Sequence, residues 1–307
     1  MNPFQAVFVL CGRLTWPLQR PLASLLYPPG TQADDFLEPR GEAGLVAADS
    51  VSSRIFANPV AMLVGGVTAV LLELAEPRVR TGVWEHTTFR QQPMLRLQRT
   101  AYAAMMTAFG PRSRTETMIA HVNRGHARIA GSTPTGTPYR ASDVELLTWV
   151  QATSAYGFAQ GYARCVRPLT DTELDRFYSE NQVPARLYGV DSPPATHAAV
   201  LDLFERMRPR LEPSAIVFEF LDILQRLPML PAIGRPLQRL FVRAAVQCLP
   251  GWTRERLGLE GAEWAVAGWQ WVLLRLIGQG ADHLSHPALP AMLARQRLAG
   301  ATARRAA

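Results

Sequence analysis

Apolar residues recur at helical spacing through most of the chain, and Pro and Gly cut the pattern into segments. Residues 3–27 read as one or two short helices broken at Pro17 and Pro21, and 31–41 as polar and irregular. Residues 43–56 read as a helix or mixed segment leading into Asn58-Pro59, a good helix start. From Val60 to Leu72 every residue is apolar or small until Glu73, too short a run for a membrane span and long enough for a helix buried all round. Gly65-Gly66 in its middle costs roughly 1 kcal/mol per Gly relative to Ala, a cost tolerated where something must approach the backbone closely.

The pattern then predicts a short helix and turn over 78–89, a helix from Leu95 to Phe109 stopped by Gly110-Pro111, and another over 115–129 stopped by Gly131. A Thr/Gly/Pro turn at 132–138 precedes a helix from 143 to about 164, with Ser142 and Glu145 spaced as a capping box. Thr170 and Glu173 form a second capping box, opening a helix from Asp171 to about Glu180. Further helices follow at 196–208, from Pro213 to about Leu227, and up to Cys248 after Pro228, Pro231 and Pro236. A last helix over about 260–278 carries Trp264, Trp269 and Trp271 with few charges, as a core or membrane-surface helix does. The tail from Arg295 is Arg/Ala-rich and read as frayed. No strand-type alternation and no internal repeat is visible, so the expected fold is all-α: one globular domain over 1–307, with core helices at 58–190 and flanking helices at 1–57 and 191–307.

Composition adds limits. Hydrophobic content of 48% supports a sizeable core, and the net charge of +7 comes entirely from Arg, for the chain has no Lys. The Arg residues are scattered, with no aromatic-interleaved basic motif, which argues against nucleic-acid binding. Cys11, Cys165 and Cys248 are far apart and odd in number, which gives neither a zinc site nor a disulfide framework. The apolar N-terminal run has no positive charge before it and makes a poor signal peptide, so a cytoplasmic location is expected, with membrane-surface contact as the variant.

The candidate chemistry sits between Arg96 and Val150. Met118, Val122 and His126 are four apart, which puts the imidazole on one helical stripe, with Gly125 beside it leaving room at the backbone. Such a His is either a metal ligand or a core His satisfied by neighbours. Arg96, Arg99, Thr100 and Ala103 share one helix face, which alone reads as solvated. Trp149, Thr153, Tyr156 and Gln160 form another stripe, core or cofactor box. Glu85 is a weak candidate base, and His86 reads as a polar loop residue.

Taken in order, R-L-Q-R-T at 96–100, H-A-R-I-A-G at 126–131 and Y-R-A-S-D-V-E-L-L-T-W-V at 139–150 resemble the MpaB/rubber oxygenase (latex clearing protein) catalytic domain family. W-E-H-T-T-F-R at 84–90 and L-T-D-T-E-L-D-R-F-Y-S-E at 169–180 extend the resemblance, which runs from about Gly82 to Tyr188. It implies an all-α fold with a haem b pocket between core helices, His126 as proximal iron ligand, Arg96 and Thr100 on the distal side, and Trp149 lining the pocket. Arg99 stands where rubber oxygenases carry Lys, a departure that bears on polyisoprene cleavage rather than on haem. The implied function is a haem-dependent oxygenase using O2 on a small apolar, alkene or isoprenoid-like substrate, with Arg96, Arg99 and Thr100 as catalytic candidates. The alternative is a non-catalytic haem- or lipid-binding protein at a membrane surface.

Overall fold

A computed structural model describes residues 27–283 and 287–305, with side chains to residue 299. Of the stretch read as short helices at 3–27, residues 3–26 lie outside the described residues. The all-α reading holds: among the described residues the regular elements are helices, apart from one small hairpin. They run α1 (Asp34–Leu37), α2 (Val51–Ala57), α3 (Pro59–Ala75), α4 (Pro77–His86), α5 (Pro93–Phe109), α6 (Arg112–His126), then β1 (Ala130–Ser132) and β2 (Pro138–Arg140). There follow α7 (Val144–Cys165), α8 (Asp171–Glu180), α9 (Gln182–Leu187), α10 (His197–Met207), α11 (Ala215–Arg226), α12 (Arg235–Cys248), α13 (Gly251–Leu257), α14 (Gly268–Ala281) and α15 (Pro290–Arg305).

The centre is the seam between α3 and α7. Ala61, Gly65 and Ala69, four apart, form a ridge of small residues on α3. Gly157 and Gly161, also four apart, face it on α7. A Cβ at Gly65 would stand 2.6 Å from the Phe158 Cα and 2.7 Å from the Gly157 carbonyl oxygen. One at Gly161 would stand 2.7 Å from the Gly65 nitrogen and 2.8 Å from the Ala61 carbonyl oxygen. The two backbones therefore touch. Thr68 ties α3 to α12 as well, donating to Ala245 O at 3.0 Å. Asn58 starts α3: its side-chain oxygen accepts from Val60 N and Ala61 N, and its amide donates to Gly278 O and Asp282 Oδ1 on and beside α14. The chain turns by 94° between α2 and α3 at this residue. No single helix among the described residues is long and apolar enough to cross a membrane, and most of α3 is buried within the protein.

The far end of α5 is fixed separately. Arg297 of α15 is 1% exposed, and its guanidinium donates to the carbonyl oxygens of Phe36, Phe109 and Glu42. The main apolar core runs from Val51 to Ala281, so α10 to α14 contribute to it along with the helices between 58 and 190.

Several local expectations are corrected. Residues 34–37 are a helical turn within the stretch read as irregular. The chain does contain strands: Ala130–Ser132 pairs antiparallel with Pro138–Arg140, closed by a turn with Gly136 at φ +85°. Three-residue strands are too short to show alternation, and Gly131 sits in one of them instead of stopping a helix. The Ser142–Glu145 capping box does not form. The N-cap is Asp143, which places Glu145 one position too early. The Asp143 carboxylate accepts from Arg140 N at 3.1 Å, and Glu145 pairs with Arg78 and Arg210. The Thr170–Glu173 box forms as read. The last Trp-rich helix begins at Gly268, where the Gln270 side chain accepts from Ala267 N, after a short turn at Ala262–Trp264.

Gly65 and Gly66 predict opposite outcomes. Gly65→Ala forces a methyl into backbone and should cost about 1–3 kcal/mol. Gly66→Ala meets nothing closer than the Phe158 Cε1 at 3.7 Å and should be neutral or gain up to about 1 kcal/mol in helix propensity. Urea midpoints of the two variants check this, and equal effects would deny the backbone seam.

Candidate functional site

The seam leaves the neighbouring face of α3 free. Leu63, Gly66 and Val70 on α3 face Leu97, Ala101 and Ala104 on α5 across a cavity of about 350 Å3. That volume is in the range of ligand pockets, and the lining is almost wholly apolar, with Gln98, Thr100 and Gln238 as its polar members.

At the Thr100 wall a polar group adjoins this space. Arg96 Nη1 donates to Thr100 Oγ1 at 2.7 Å, and that hydroxyl donates back to Arg96 O at 3.0 Å, which fixes the guanidinium one turn along α5. Glu73 continues the Gly66–Val70 stripe of α3 by one turn and accepts from Ser154 Oγ of α7 at 3.3 Å. Burial raises the Glu73 carboxyl to about 7, against the lowering influence of Ser154 and of the nearby Arg96 charge. Arg96 is itself shifted down, first by desolvation, then by the positive charge of Arg99, while Glu73 pulls it up. Glu73 and Arg96 are both half-buried, and neither lines the cavity itself.

His126 is the last residue of α6. Its helix buries Thr115 and Ile119, while Met118, Val122 and His126 are half-buried, so the expected stripe lies at the edge of the core rather than within it. The imidazole pKa is lowered, first by desolvation and then by the charge of Arg96. These outweigh the helix C-terminus, which alone favours a protonated His. Its Nδ1 is buried with no hydrogen-bond partner, and so is Oδ1 of Asn123, one turn earlier. Among the described residues no group of three or more His, Cys, Asp or Glu side chains could hold a metal. The donor on offer is a single neutral imidazole, the protein's share of the ligands when a macrocycle supplies the others.

The structure brings Arg96, Thr100 and His126 into one electrostatic neighbourhood, and Arg99 adds charge to it from an exposed position. Thr100 is the member that also lines the cavity. Trp149 is fully buried; its ring packs on Phe204 at 5.1 Å, and its Nε1 has no partner. Glu85 is exposed, and His86 ends α4 with its Nε2 3.2 Å from the Tyr139 hydroxyl. The carboxylate coupled to Arg96 is Glu73, which in the sequence stands only as the end of an apolar run. Its position three residues after Val70, on the stripe of Gly66 and Val70, was the available signal.

This is a helical protein with three electrostatically coupled side chains, Glu73, Arg96 and His126, gathered near an apolar cavity that Thr100 lines. A family model described as ER-bound oxygenase mpaB/B'/Rubber oxygenase, catalytic domain, matches residues 53–279, and the chain belongs to this oxygenase family. No curated protein and no solved structure matches the chain.

The Glu73 shift carries a stability consequence with a definite sign. An acid whose folded pKa is raised loses stability for the fold as pH rises from its ordinary 4.5 toward about 7, and the deficit stays constant above that. Glu73→Gln should therefore stabilise the protein at pH 8, by on the order of 3–4 kcal/mol at roughly 1.4 kcal/mol per unit, and leave it nearly unchanged at pH 4.5. Urea melts at the two pH values check this; a gain independent of pH would show that Glu73 ionises freely.

Proposed function

We propose that this chain is a haem b-dependent oxygenase acting with O2 on a small apolar substrate of alkene or isoprenoid type. The observation that carries the reading is the neutral, unpartnered imidazole of His126 beside Arg96, joined to the apolar cavity through Thr100.

Two features support the group, though His126 does not itself line the cavity. The buried Nδ1 of His126 lacks a partner, and the cavity wall is apolar as a porphyrin or hydrocarbon face requires. Haem held by His126 would bring one-electron and O2 chemistry that no side chain supplies. The chain's own residues divide the remaining work. Desolvation and the Arg96 charge keep His126 unprotonated, with a ring nitrogen lone pair available. Arg96, oriented by Thr100, presents a fixed positive charge and N–H donors to negative charge developing in the site. Glu73, raised to about 7 and oriented by Ser154, can hold or release a proton at its carboxylate oxygens near neutral pH. The apolar walls bind hydrocarbon and exclude water. Arg99, exposed and permanently charged, tunes Arg96 and takes no part in proton transfer.

The competing reading, a haem or lipid carrier without turnover, uses the same pocket. The difference is read by adding O2 and an alkene to haem-loaded protein and looking for oxidised product.

His126→Ala should abolish the Soret band of the haem-loaded protein while helical circular dichroism is retained. His121→Ala, at an exposed position on the same helix, should keep the band. Full haem content in folded His126→Ala would rule out its role as ligand.

Arg96→Ala should keep the Soret band and slow O2-dependent turnover by about 10²–10³-fold, the scale for one charge-stabilising donor. Unchanged turnover would reduce Arg96 to a structural charge.

A further inference from the structure

The segment between α11 and α12, L-P-M-L-P-A-I-G at 227–234, has two faces. Inward, Met229 and Leu230 line the apolar cavity. Outward, Pro231, Ala232 and Ile233 are exposed, and Ile233 at 94% is the most exposed large apolar side chain among the described residues.

This exposure is imposed by the structure beneath. Gln238 of α12 is 1% exposed and lines the same cavity. Its amide donates to Leu224 O at 2.7 Å and Leu227 O at 2.6 Å, and its Oε1 accepts from Leu230 N at 3.3 Å. Gly234 N closes the tip on Pro231 O at 2.7 Å, and Pro228, Pro231 and Pro236 fix φ along it. The loop is clamped from the cavity side, so Ile233 is held out in water.

The surroundings are basic. Arg235 and Arg239 open α12, one turn apart and both exposed, with no ion pair among the described residues. Arg226, at the end of α11, is matched by Asp222. An apolar tip with arginines free of carboxylate partners suits one occupant above others, a bilayer surface carrying anionic headgroups.

We propose that the 227–234 loop is a lipid-docking port. Ile233 enters the acyl-chain boundary, Arg235 and Arg239 meet anionic headgroups, and an apolar molecule dissolved in the bilayer passes Met229 and Leu230 into the cavity. The port rests on the reading of the cavity as the chamber for an apolar substrate. A second apolar face exists on α14, where Trp269, Val272 and Leu276 are more than half exposed, but no α14 residue lines the cavity.

The test is flotation of the full chain with phosphatidylcholine vesicles, with and without phosphatidylglycerol. Wild type should float with the anionic vesicles and be released by salt. Ile233→Asp, Ile233→Ser and the double variant Arg235→Gln/Arg239→Gln should each lose binding roughly tenfold or more, while Leu276→Asp should retain it. All of these side chains are exposed, so helical circular dichroism should not change. Transfer of a fluorescent polyene fatty acid from the vesicles to the protein should slow in Ile233→Ser, while binding of the same probe from solution stays as in wild type. Absent vesicle binding by wild type, binding indifferent to Ile233, or loss in Leu276→Asp alone overturns the port. So does a dimer that Ile233→Ser converts to monomer without any vesicle binding, since the loop would then meet a second copy of the chain. If the probe fails to bind from solution while Ile233-dependent docking persists, the chamber reading fails and the port with it, and the docking surface alone stands.

Discussion

The closest approach of α3 to α7 is the constraint from which the site follows. Where Ala61, Gly65 and Ala69 meet Gly157 and Gly161, the helices pack backbone on backbone, and no larger residue fits on either side. Contact of this kind fixes rotation as well as distance, since a turn of either helix would drive a side chain into the seam. Once rotation is set, Leu63, Gly66, Val70 and Glu73 are committed to the next face of α3. Ser154, one turn before Gly157, is equally committed to the edge where Glu73 arrives. The hydrogen bond between them is a consequence of the seam.

The cavity needs a second condition, that α5 does not collapse onto α3. It is met along the C-terminal half of α5. Burying the Arg297 guanidinium is costly, and desolvation lowers its pKa, but three backbone carbonyls satisfy it and hold the C-terminal end of α5 against α1 and the segment before α2. Tyr102 is tied to Asp35, and Thr115 at the start of α6 donates to Met106 O. These bonds fix where the C-terminal half of α5 stands, and Phe109 and the start of α15 close that end of the cavity. An apolar space that water would not fill favourably is therefore maintained by polar bonds elsewhere.

How much of this could be read from the chain depends on the range of each interaction. Helix limits set by Pro, Asn caps and the Thr170–Glu173 box are local, and they were legible. Asp143 took the cap expected of Ser142 because its carboxylate closes a turn on Arg140 N, a competition between adjacent residues that spacing cannot arbitrate. The Gly65-Gly66 pair was legible as a cost, but which glycine meets a helix and which faces a cavity is decided by rotation about α3. Arg96 and Thr100 read as a solvated face on periodicity alone, and in the structure Thr100 is exposed and Arg96 half-buried, so the order of motifs added the expectation of a site that periodicity could not. Glu73 escaped because a single acid after an apolar run is the usual sign of a helix reaching solvent. Only the packing of α7, with Ser154, against α3 takes it out of bulk water.

Arg96 then sets the charge state of the whole site. Its positive charge acts on both titratable neighbours, favouring ionised Glu73 and neutral His126. For His126 it acts with desolvation, and both push the imidazole pKa down, toward the neutral form. For Glu73 it opposes desolvation, which wins, and the carboxyl is left poised near neutrality instead of fully charged. One fixed cation thus gives two neighbours different protonation behaviour: one is held as a lone-pair donor, the other is free to exchange a proton. Arg99, from its exposed position, lowers Arg96 by like-charge repulsion and Glu73 raises it, so the arginine at the centre is the group on which every other charge in the site acts.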